Sequence, residues 1–558
     1  MKKILSVTHA LIIYMLLPAI VPICCAFVPV SPRRQNLFHR RSAVHASLQE
    51  RGNAHARERK LKALLDVPWN NTAVVYDAIQ AAWGNYPLLL RGAFADTETE
   101  SDVSSLSALP VWEEIIQLAC GQGDVENKDD ESSIEMDEDV PPSRLIAQRI
   151  AGRMDSYELL GFGPFADAKY LHQQLQPSAS STSTLVVNDV DRWIPELSDW
   201  MDVNFGSLIP RWRRDDAQIS LANQGGGIGP HVDSYDVFLL QLAGSREWQV
   251  GDNFLVSIQE EFDHMIEACS EKGVRILNIT SLLEASSTKN PDIVKIQVQP
   301  GDCLYLPPRI MHWGTATTDG CMTLSVGCRA PSAKDLIGRL SERLLLYSSA
   351  ISSSLREKLE QRYTDEIVRN VNSTTSSELT RDVKGAMREL VLEAAIEAAL
   401  DDDNFFDPLI GKVVTEPNRI SGDESSFPLS LDDMDEQWRS ELGVWGTAAG
   451  CLEEVFVNGN GCLRRVEGIA CAWSRDIDTK AKHVTYRVYC HGRDSIEFAV
   501  SNNDDHEALT SLMDQICGGP PLDQSGVEKL GIRVDEKHEL RSFLLAFVQE
   551  GWLYGDDA

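Results

Sequence analysis

The chain has 558 residues, a length that allows roughly two to four domains, each with its own hydrophobic core. Its formal net charge of -32 at pH 7 excludes non-specific nucleic-acid binding, because such binding needs a basic face against the phosphates. An acidic surface favours a basic protein partner instead.

The first 60 residues predict a targeting leader. Residues 1–26 begin with Lys2 and Lys3 and continue in an apolar run, which is typical of a signal peptide. The length of that run leaves an uncleaved signal anchor as the alternative. Residues 27–60 are rich in arginine and poor in acidic residues, the composition of an organelle transit peptide.

These two segments in this order resemble the bipartite leader of algae with secondary plastids, in which a small residue followed by Phe marks the junction. Ala26-Phe27 fits that junction. The resemblance predicts import into a plastid, with no stable membrane association after the leader is cleaved; the mitochondrion and the secretory pathway are the alternatives. The 12 cysteines lack zinc spacing and a disulfide framework, so we expect buried free thiols in a reducing compartment.

From about residue 61 the sequence pattern predicts a folded domain of many short strands. An acidic loop at 121–140, which is too polar to pack, interrupts this domain. Residues 237–242 form an apolar run, as expected of a strand buried on both faces, whereas Val294, Ile296 and Val298 alternate with polar residues. Further strands are predicted at 87–94 (ending in a turn), 185–187, 217–221, 304–306 and 322–326, helices at 111–119 and 193–205, and ordered structure at 143–150. Short strands with Gly/Pro turns favour a sandwich or barrel such as a jelly roll.

The strongest chemical signal is the pair His231 and Asp233, which follows a glycine-rich loop. In an extended strand, side chains two residues apart lie on the same face, so the imidazole and the carboxylate point into one pocket. His312 follows a Pro-Gly-Asp turn and a short apolar strand. Two histidines and one carboxylate form the facial triad of non-haem Fe(II) oxygenases, which leaves open positions for a co-substrate and O₂. The pattern predicts an iron site made by these three residues.

The same residues resemble a known family. The segments GGGIGPHVDSYDVFLLQLAGSREWQVG, VQPGDCLYLPPRIMHWG and MTLSVGCRAP, preceded by RWRRDDAQIS, are similar to the bacterial-type ribosomal oxygenases. These are JmjC-type cupins that use Fe(II), 2-oxoglutarate and O₂ to hydroxylate a ribosomal protein side chain. The resemblance implies that His231, Asp233 and His312 are both the catalytic centre and the metal ligands. It extends from about residue 87 to the C-terminus and is strongest over 209–331.

The resemblance also assigns residues to the co-substrate. Arg246 occupies the place of the family's arginine that binds the 2-oxoglutarate carboxylate, and its planar guanidinium suits a bidentate contact. The alternative for Arg246 is an ion-paired or surface arginine. Ser220 is a weaker candidate for a hydroxyl contact to the co-substrate, and Tyr235 is a candidate for facing the substrate side chain. Ser234 stands where the family commonly has an amide side chain, and Trp313 stands where it usually has a polar residue. The segment 251–291 is longer than in compact relatives. These differences affect the shape of the substrate pocket.

The C-terminal third predicts helices followed by a mixed module. Ser332 and Asp335 form a capping box before a helix with leucines at four-residue spacing, and a second helix is predicted at 381–400. The family's dimerisation helices lie here, which implies a homodimer; core packing within one chain is the alternative. Strands are predicted at 486–489 and 497–500 and a closing helix at 540–552. This part resembles the family's winged-helix-like module, without a basic recognition face.

The predicted organisation is therefore a signal peptide (1–26), a transit peptide-like segment (27–60), a JmjC/cupin oxygenase domain (61–330), a helical dimerisation region (331–410) and a winged-helix-like C-terminal domain (411–558). The fold class is a mainly β catalytic core, a double-stranded β-helix or cupin jelly roll, with an α-helical region and an α+β module.

The predicted reaction is hydroxylation of a ribosomal protein, and in the bacterial relatives the target is an arginine of large-subunit ribosomal protein sixteen. Direct nucleic-acid binding is not expected. A histidyl hydroxylase or a lysine demethylase acting on another protein, and a non-catalytic cupin-like binding module, are the alternative functions.

Overall fold

The computed structural model describes residues 65–68, 72–94, 109–120, 140–148, 157–176, 182–254, 293–346, 407–416 and most of 431–556, with short gaps inside the longer ranges. The predicted leader, the acidic loop, the long insertion after residue 254 and the predicted helix at 381–400 lie outside the described residues. Within the described part of the chain, no helix is both long enough and apolar enough to cross a membrane.

Seventeen strands are described. They are β1 (Leu65–Pro68), β2 (Leu88–Arg91), β3 (Ser143–Gln148), β4 (Tyr157–Phe162), β5 (Thr182–Val187), β6 (Arg214–Ala222), β7 (Asp236–Ala243), β8 (Arg246–Phe254), β9 (Ile293–Val298), β10 (Cys303–Leu306), β11 (Ile310–Ala316), β12 (Cys321–Cys328), β13 (Cys462–Arg465), β14 (Cys471–Asp478), β15 (His483–Cys490), β16 (Ile496–Ser501) and β17 (Leu553–Asp556).

The structure also describes ten α-helices, which are distributed among the strands along the sequence. The described α-helices are α1 (Thr72–Ala82), α2 (Trp112–Cys120), α3 (Ala168–Leu175), α4 (Pro195–Phe205), α5 (Ala333–Leu346), α6 (Asp407–Thr415), α7 (Ala448–Glu453), α8 (His506–Gly518), α9 (Gln524–Lys529) and α10 (His538–Gln549). Short 3₁₀ turns at Val190–Arg192, Arg211–Arg213 and Gly443–Gly446 and a π turn at Glu454–Asn458 complete the set.

The first half of the described chain forms a double-stranded β-helix built from two facing sheets. The larger sheet has nine strands in the order β1-β2-β10-β7-β12-β6-β5-β3-β4, and the smaller has three in the order β11-β8-β9. All neighbouring pairs are antiparallel except β1 with β2. This arrangement confirms the predicted mainly β jelly roll.

Side-chain alternation on β7 shows how the sequence builds the two layers. Phe238 and Leu240 point to the outer face, where they join the large core formed with the flanking helices. Val237 and Leu239 point inward and pack against Trp248 and other residues of the smaller sheet. Because successive strand residues face opposite sides, a strand that is covered on both faces must be apolar throughout. The run at 237–242 is buried for this reason.

The C-terminal part of the chain has its own core. The sheet β14-β15-β16 and the pair β13-β17 pack with α7, α8 and α10 around buried residues that include Tyr486, Phe543 and Trp552. Ion pairs join this module to the β-helix part of the chain: Arg464 contacts Asp199 at 2.5 Å and Arg465 contacts Asp202, both aspartates being on α4. The winged-helix-like assignment and the domain boundaries stay predictions.

Most predicted elements are confirmed within a few residues, and two predictions need correction. The closing helix α10 ends at Gln549, because Gly551 takes a positive φ of 72° and turns the chain. Trp552 therefore lies beyond the helix and packs edge-on against Phe547. The His-x-Asp motif is not in a continuous strand either: His231 forms an isolated bridge, and Asp233 lies in the loop before β7.

Candidate metal centre

The glycine loop after β6 carries the first two ligand candidates because it lies directly along β11. The backbone N–H of Gly225 donates to the carbonyl of Ala316, and the N–H of Ala316 donates to Gly226, both at 2.8 Å. A Cβ added to Gly227 would lie 2.4 Å from the carbonyl oxygen of Gly314, closer than any real side chain approaches. Glycine at position 227 is thus required for the loop to reach β11.

The loop brings all three predicted ligands together. His231 and His312 exchange two backbone hydrogen bonds, of 3.0 and 2.9 Å, and their rings lie 4.1 Å apart between centroids. Asp233 Oδ2 is 3.5 Å from His312 Nε2. One ligand atom from each of the three residues falls within 4.8 Å of the others. The predicted constellation of His231, Asp233 and His312 is present in the structure.

The hydrogen bonds of the two imidazoles orient them for metal binding. His231 Nδ1 lies 3.0 Å from the carbonyl of Gly229, and His312 Nδ1 lies 3.0 Å from the carbonyl of Ile310. A neutral imidazole in such a contact donates through Nδ1 and keeps the lone pair of Nε2 free. Both rings therefore present an Nε2 acceptor, as a divalent cation requires.

Burial keeps His312 in the form that binds metals. It is 1% exposed, and burial, together with the neighbouring His231, lowers its pKa to about 4, although Asp233 opposes the shift. The ring is consequently neutral near pH 7. Asp233 is more open, with 21% of its side chain exposed. Two imidazoles and one carboxylate are ligands that suit Fe(II) and similar divalent ions.

Arg246 opens β8 on the interior of the jelly roll and is 2% exposed. Its guanidinium lies 5.6 Å from the ring centre of Trp248, and its Nε and Nη2 have no hydrogen-bond partner among the described residues. Buried Arg211 and Arg214 also have donors without a partner, but they pair with Asp191 and Asp202, whereas no described carboxylate pairs with Arg246. A buried guanidinium without a carboxylate is costly, so this position suits an anionic ligand. The alternative of a surface arginine is excluded.

Ser220 lies in the same interior. Its neighbours Ile219 and Leu221 belong to the outer core, so Ser220 faces the opposite side of β6. Ala222, two residues later on that side, packs against Ala316 of the smaller sheet. The hydroxyl at position 220 thus points between the two sheets and is buried. Tyr235, by contrast, is 36% exposed in the loop that follows Asp233.

Sequence reasoning missed one residue at this site, Tyr157 on β4. Its hydroxyl accepts a 2.8 Å hydrogen bond from Trp313 Nε1, and its ring packs against Gly229. Burial raises the pKa of Tyr157 to about 12. Tyr157 precedes Trp313 by 156 positions, and no local pattern connects the two. The unusual tryptophan after His312 was the single visible signal.

Comparison with known proteins defines the class. Residues 203–336 match the JmjC domain family, a stretch that contains the three ligand candidates and Arg246. This part of the chain is therefore similar to JmjC domains, and it includes the candidate metal centre.

Two named proteins are similar in sequence to parts of this chain. The chain is 36% identical over 160 residues to the "Probable ribosomal oxygenase" of Haemophilus influenzae, covering 28% of this chain and 34% of that protein. It is 31% identical over 200 residues to the ribosomal protein uL16 3-hydroxylase of Escherichia coli, covering 36% of this chain and 46% of the relative. The alignments thus span between a third and a half of these relatives.

The fold comparison covers more of the chain. The X-ray structure of E. coli YcfD superimposes with a TM-score of 0.52 and 22% identity, over 86% of this chain and 97% of that one. A second structure of this ribosomal oxygenase, in complex with cobalt and succinic acid, gives a TM-score of 0.51 and 21% identity. The predicted resemblance to the bacterial-type ribosomal oxygenases is confirmed, and the fold is theirs.

Proposed function

We propose that this chain is an Fe(II)- and 2-oxoglutarate-dependent oxygenase that hydroxylates a ribosomal protein side chain. The observation that carries the proposal is the open triad of His231, Asp233 and His312, with both histidine Nε2 atoms free for a cation. The named relatives, a ribosomal oxygenase and a uL16 3-hydroxylase, support the substrate class. YcfD itself has been solved in complex with cobalt and 2-oxoglutarate.

The residues at the site fit both groups. The triad occupies three positions of a divalent ion and leaves the remaining positions for the co-substrate and O₂. Bound Fe(II) would supply the activation of O₂. Arg246 would hold the distal carboxylate of 2-oxoglutarate, since a buried guanidinium with unsatisfied donors matches a carboxylate in charge and geometry. Ser220 faces the same interior, and its hydroxyl would donate a hydrogen bond to the co-substrate.

The protein around these residues excludes water and orients the groups. Trp248 packs against both Arg246 and His312, with ring centres 5.8 Å apart for the second contact. His312 and Arg246 are both almost fully buried. Tyr235 stands at the exposed side, beside Asp233, where a protein substrate would enter. A low-dielectric interior strengthens the contacts of Arg246 with an anionic co-substrate.

We place the substrate among the basic ribosomal proteins, with an arginine of uL16 as the first candidate. The net charge of -32 favours association with a basic protein. The leader suggests that the reaction occurs in a plastid, whose ribosomes are of bacterial descent. The helical region at 331–410 would form a homodimer; Ile337 on α5 is 54% exposed, in keeping with that role.

Mass spectrometry of plastid ribosomal proteins from cells with and without this protein tests the assignment. We expect one added oxygen on an arginine of uL16, lost when the protein is absent and restored by the wild type but not by His231→Ala. His172→Ala is the matched control, because His172 is an exposed histidine paired with Glu113 outside the site. Identical spectra with and without the protein would reject uL16 as the substrate.

A further inference from the structure

The two segments that carry the metal ligands are offset by one residue where they meet. Their backbones are bonded at Gly226 with Ala316 and again at His231 with His312. Between these two points the loop has four residues (227–230) and β11 has three (313–315). The loop must therefore bulge, and a bulge weakens the local ladder. This happens immediately beside both histidine ligands.

Tyr157 fills that bulge. A Cβ added to Gly229 would lie 3.0 to 3.3 Å from three atoms of the Tyr157 ring, so the ring lies against the loop backbone. The Tyr157 hydroxyl accepts the hydrogen bond from Trp313 Nε1 at 2.8 Å. Tyr157 thus contacts the loop with its ring and β11 with its hydroxyl. It comes from β4, at the far edge of the larger sheet.

Each of these two contacts of Tyr157 is made with a residue that adjoins or supports a histidine ligand. The carbonyl of Gly229, under the Tyr157 ring, is the acceptor for His231 Nδ1. Trp313 directly follows His312 on β11 and is 7% exposed. Losing a group that holds a ligating histidine in its orientation typically costs about 10- to 100-fold in metal affinity.

We propose that Tyr157 and Trp313 form a hydrogen-bonded clamp of positioning residues that sets the spacing of His231 and His312 for the metal. This inference rests on the proposed function, because it requires that the triad binds a divalent ion. Neither residue ligates the metal; both act through the backbone of the two ligand segments.

Co(II) titration of the purified protein, followed by the visible absorption of the bound ion, tests the clamp. Tyr157→Phe removes the hydroxyl and keeps the ring against Gly229; Trp313→Phe removes the indole N–H. We expect each variant to bind Co(II) about tenfold more weakly, the lower end of the effect of losing an outer-shell partner. The double variant should bind no more weakly than either single variant, because all three lack the same hydrogen bond.

Tyr486→Phe is the matched control. Tyr486 is fully buried in the C-terminal module, and its hydroxyl lies 3.1 Å from His506 Nδ1. This variant should lose thermal stability without a change in Co(II) affinity. Wild-type affinity in Tyr157→Phe, or additive losses in the double variant, would overturn the clamp. If Trp313→Phe does not fold, Tyr157→Phe decides the question alone.

The same titration separates this inference from the proposed function. Wild-type protein that binds no Co(II), or binds it equally well as His231→Ala, contradicts the metal centre itself. Wild-type protein that binds Co(II) through His231, with unchanged affinity in Tyr157→Phe, leaves the metal centre standing and rejects the clamp alone.

Discussion

Two buried arginine sites in this molecule have opposite solutions to the same electrostatic problem. Arg214 is 2% exposed and contacts Asp202 at 2.5 Å, and Arg465 of the C-terminal module contacts the same carboxylate. Arg246 is equally buried, but no carboxylate of the described chain forms an ion pair with it. Donors without a hydrogen-bond partner occur on both arginines, the Nε and Nη1 of Arg214 and the Nε and Nη2 of Arg246, so the paired carboxylate is the difference between the two sites. The first site holds two modules together, whereas the second is arranged for an anion that the chain does not supply.

The two sites show how a buried charge that stabilises the fold differs from one that could bind a ligand. Asp202 is itself buried; burial would raise its pKa, but Arg465, Arg214 and Arg211 together lower it below its usual value. The carboxylate is therefore ionised and compensated by its own protein. Arg246 lies instead beside Trp248, whose ring also packs against His312; an external carboxylate at this place would complete the pairing.

Removing the carboxylate from the paired site should have the largest effect on stability. Asp202→Ala leaves Arg214 and Arg465 buried without their partner, and losing one member of a buried ion pair costs about 3–5 kcal/mol. We expect a loss of that size in the free energy of unfolding, measured by urea denaturation. Asp199→Ala is the control: 30% of the Asp199 side chain is exposed, and among the described residues it forms an ion pair with Arg464 alone, so its loss should be clearly smaller. Equal losses in both variants would contradict the special role of Asp202.

Gly227→Ala should have the next largest effect, a loss of metal affinity. A Cβ at this position meets the backbone carbonyl of Gly314, so the loop must move away from β11 and take His231 with it. We expect Co(II) affinity to fall by about tenfold or more, as when the groups that orient a ligand are lost. Gly338→Ala on α5 is the control, because its Cβ meets no atom within 4 Å. It should gain up to about 1 kcal/mol in stability and keep its metal affinity.

A pH effect of moderate size should come from Asp202. Because its pKa is lowered in the folded state, its stabilisation is fully present above the unfolded value near 3.8 and is lost as the pH falls through the folded value. The stability difference between wild type and Asp202→Asn should accordingly be constant from pH 7 to about pH 5 and shrink below about pH 4. Urea unfolding of both proteins across this range measures it. A difference that grows on acidification would show that the pKa is raised instead.

The smallest effect on stability should come from Arg246→Met. Replacing a buried charge that lacks a partner with an apolar side chain of similar length is often neutral or stabilising. We expect the free energy of unfolding of the metal-free protein to change by no more than about 1 kcal/mol, including the lost contact with Trp248. A loss as large as that of Asp202→Ala would mean that Arg246 is a structural residue.

The sequence predicted features that depend on local pattern, and it missed those that depend on distant partners. The apolar run at 237–242 and the His231/Asp233 motif are visible within a few residues, because strand alternation and ligand type are local properties. Tyr157 meets Trp313 across 156 positions, and Asp202 meets Arg465 across 263, so neither pair follows from spacing. The end of α10 was misplaced because the positive φ of Gly551 outweighs the apolar pattern that continues to Trp552.

A titration of 2-oxoglutarate into the Co(II)-loaded protein, with wild type and Arg246→Met side by side, tests the central claim most directly. We expect both proteins to bind Co(II) with similar affinity and Arg246→Met to bind 2-oxoglutarate at least about 100-fold more weakly, the scale expected when a charge-assisted bidentate contact is lost. Equal 2-oxoglutarate affinity in the two proteins, or no Co(II) binding by the wild type, would contradict it.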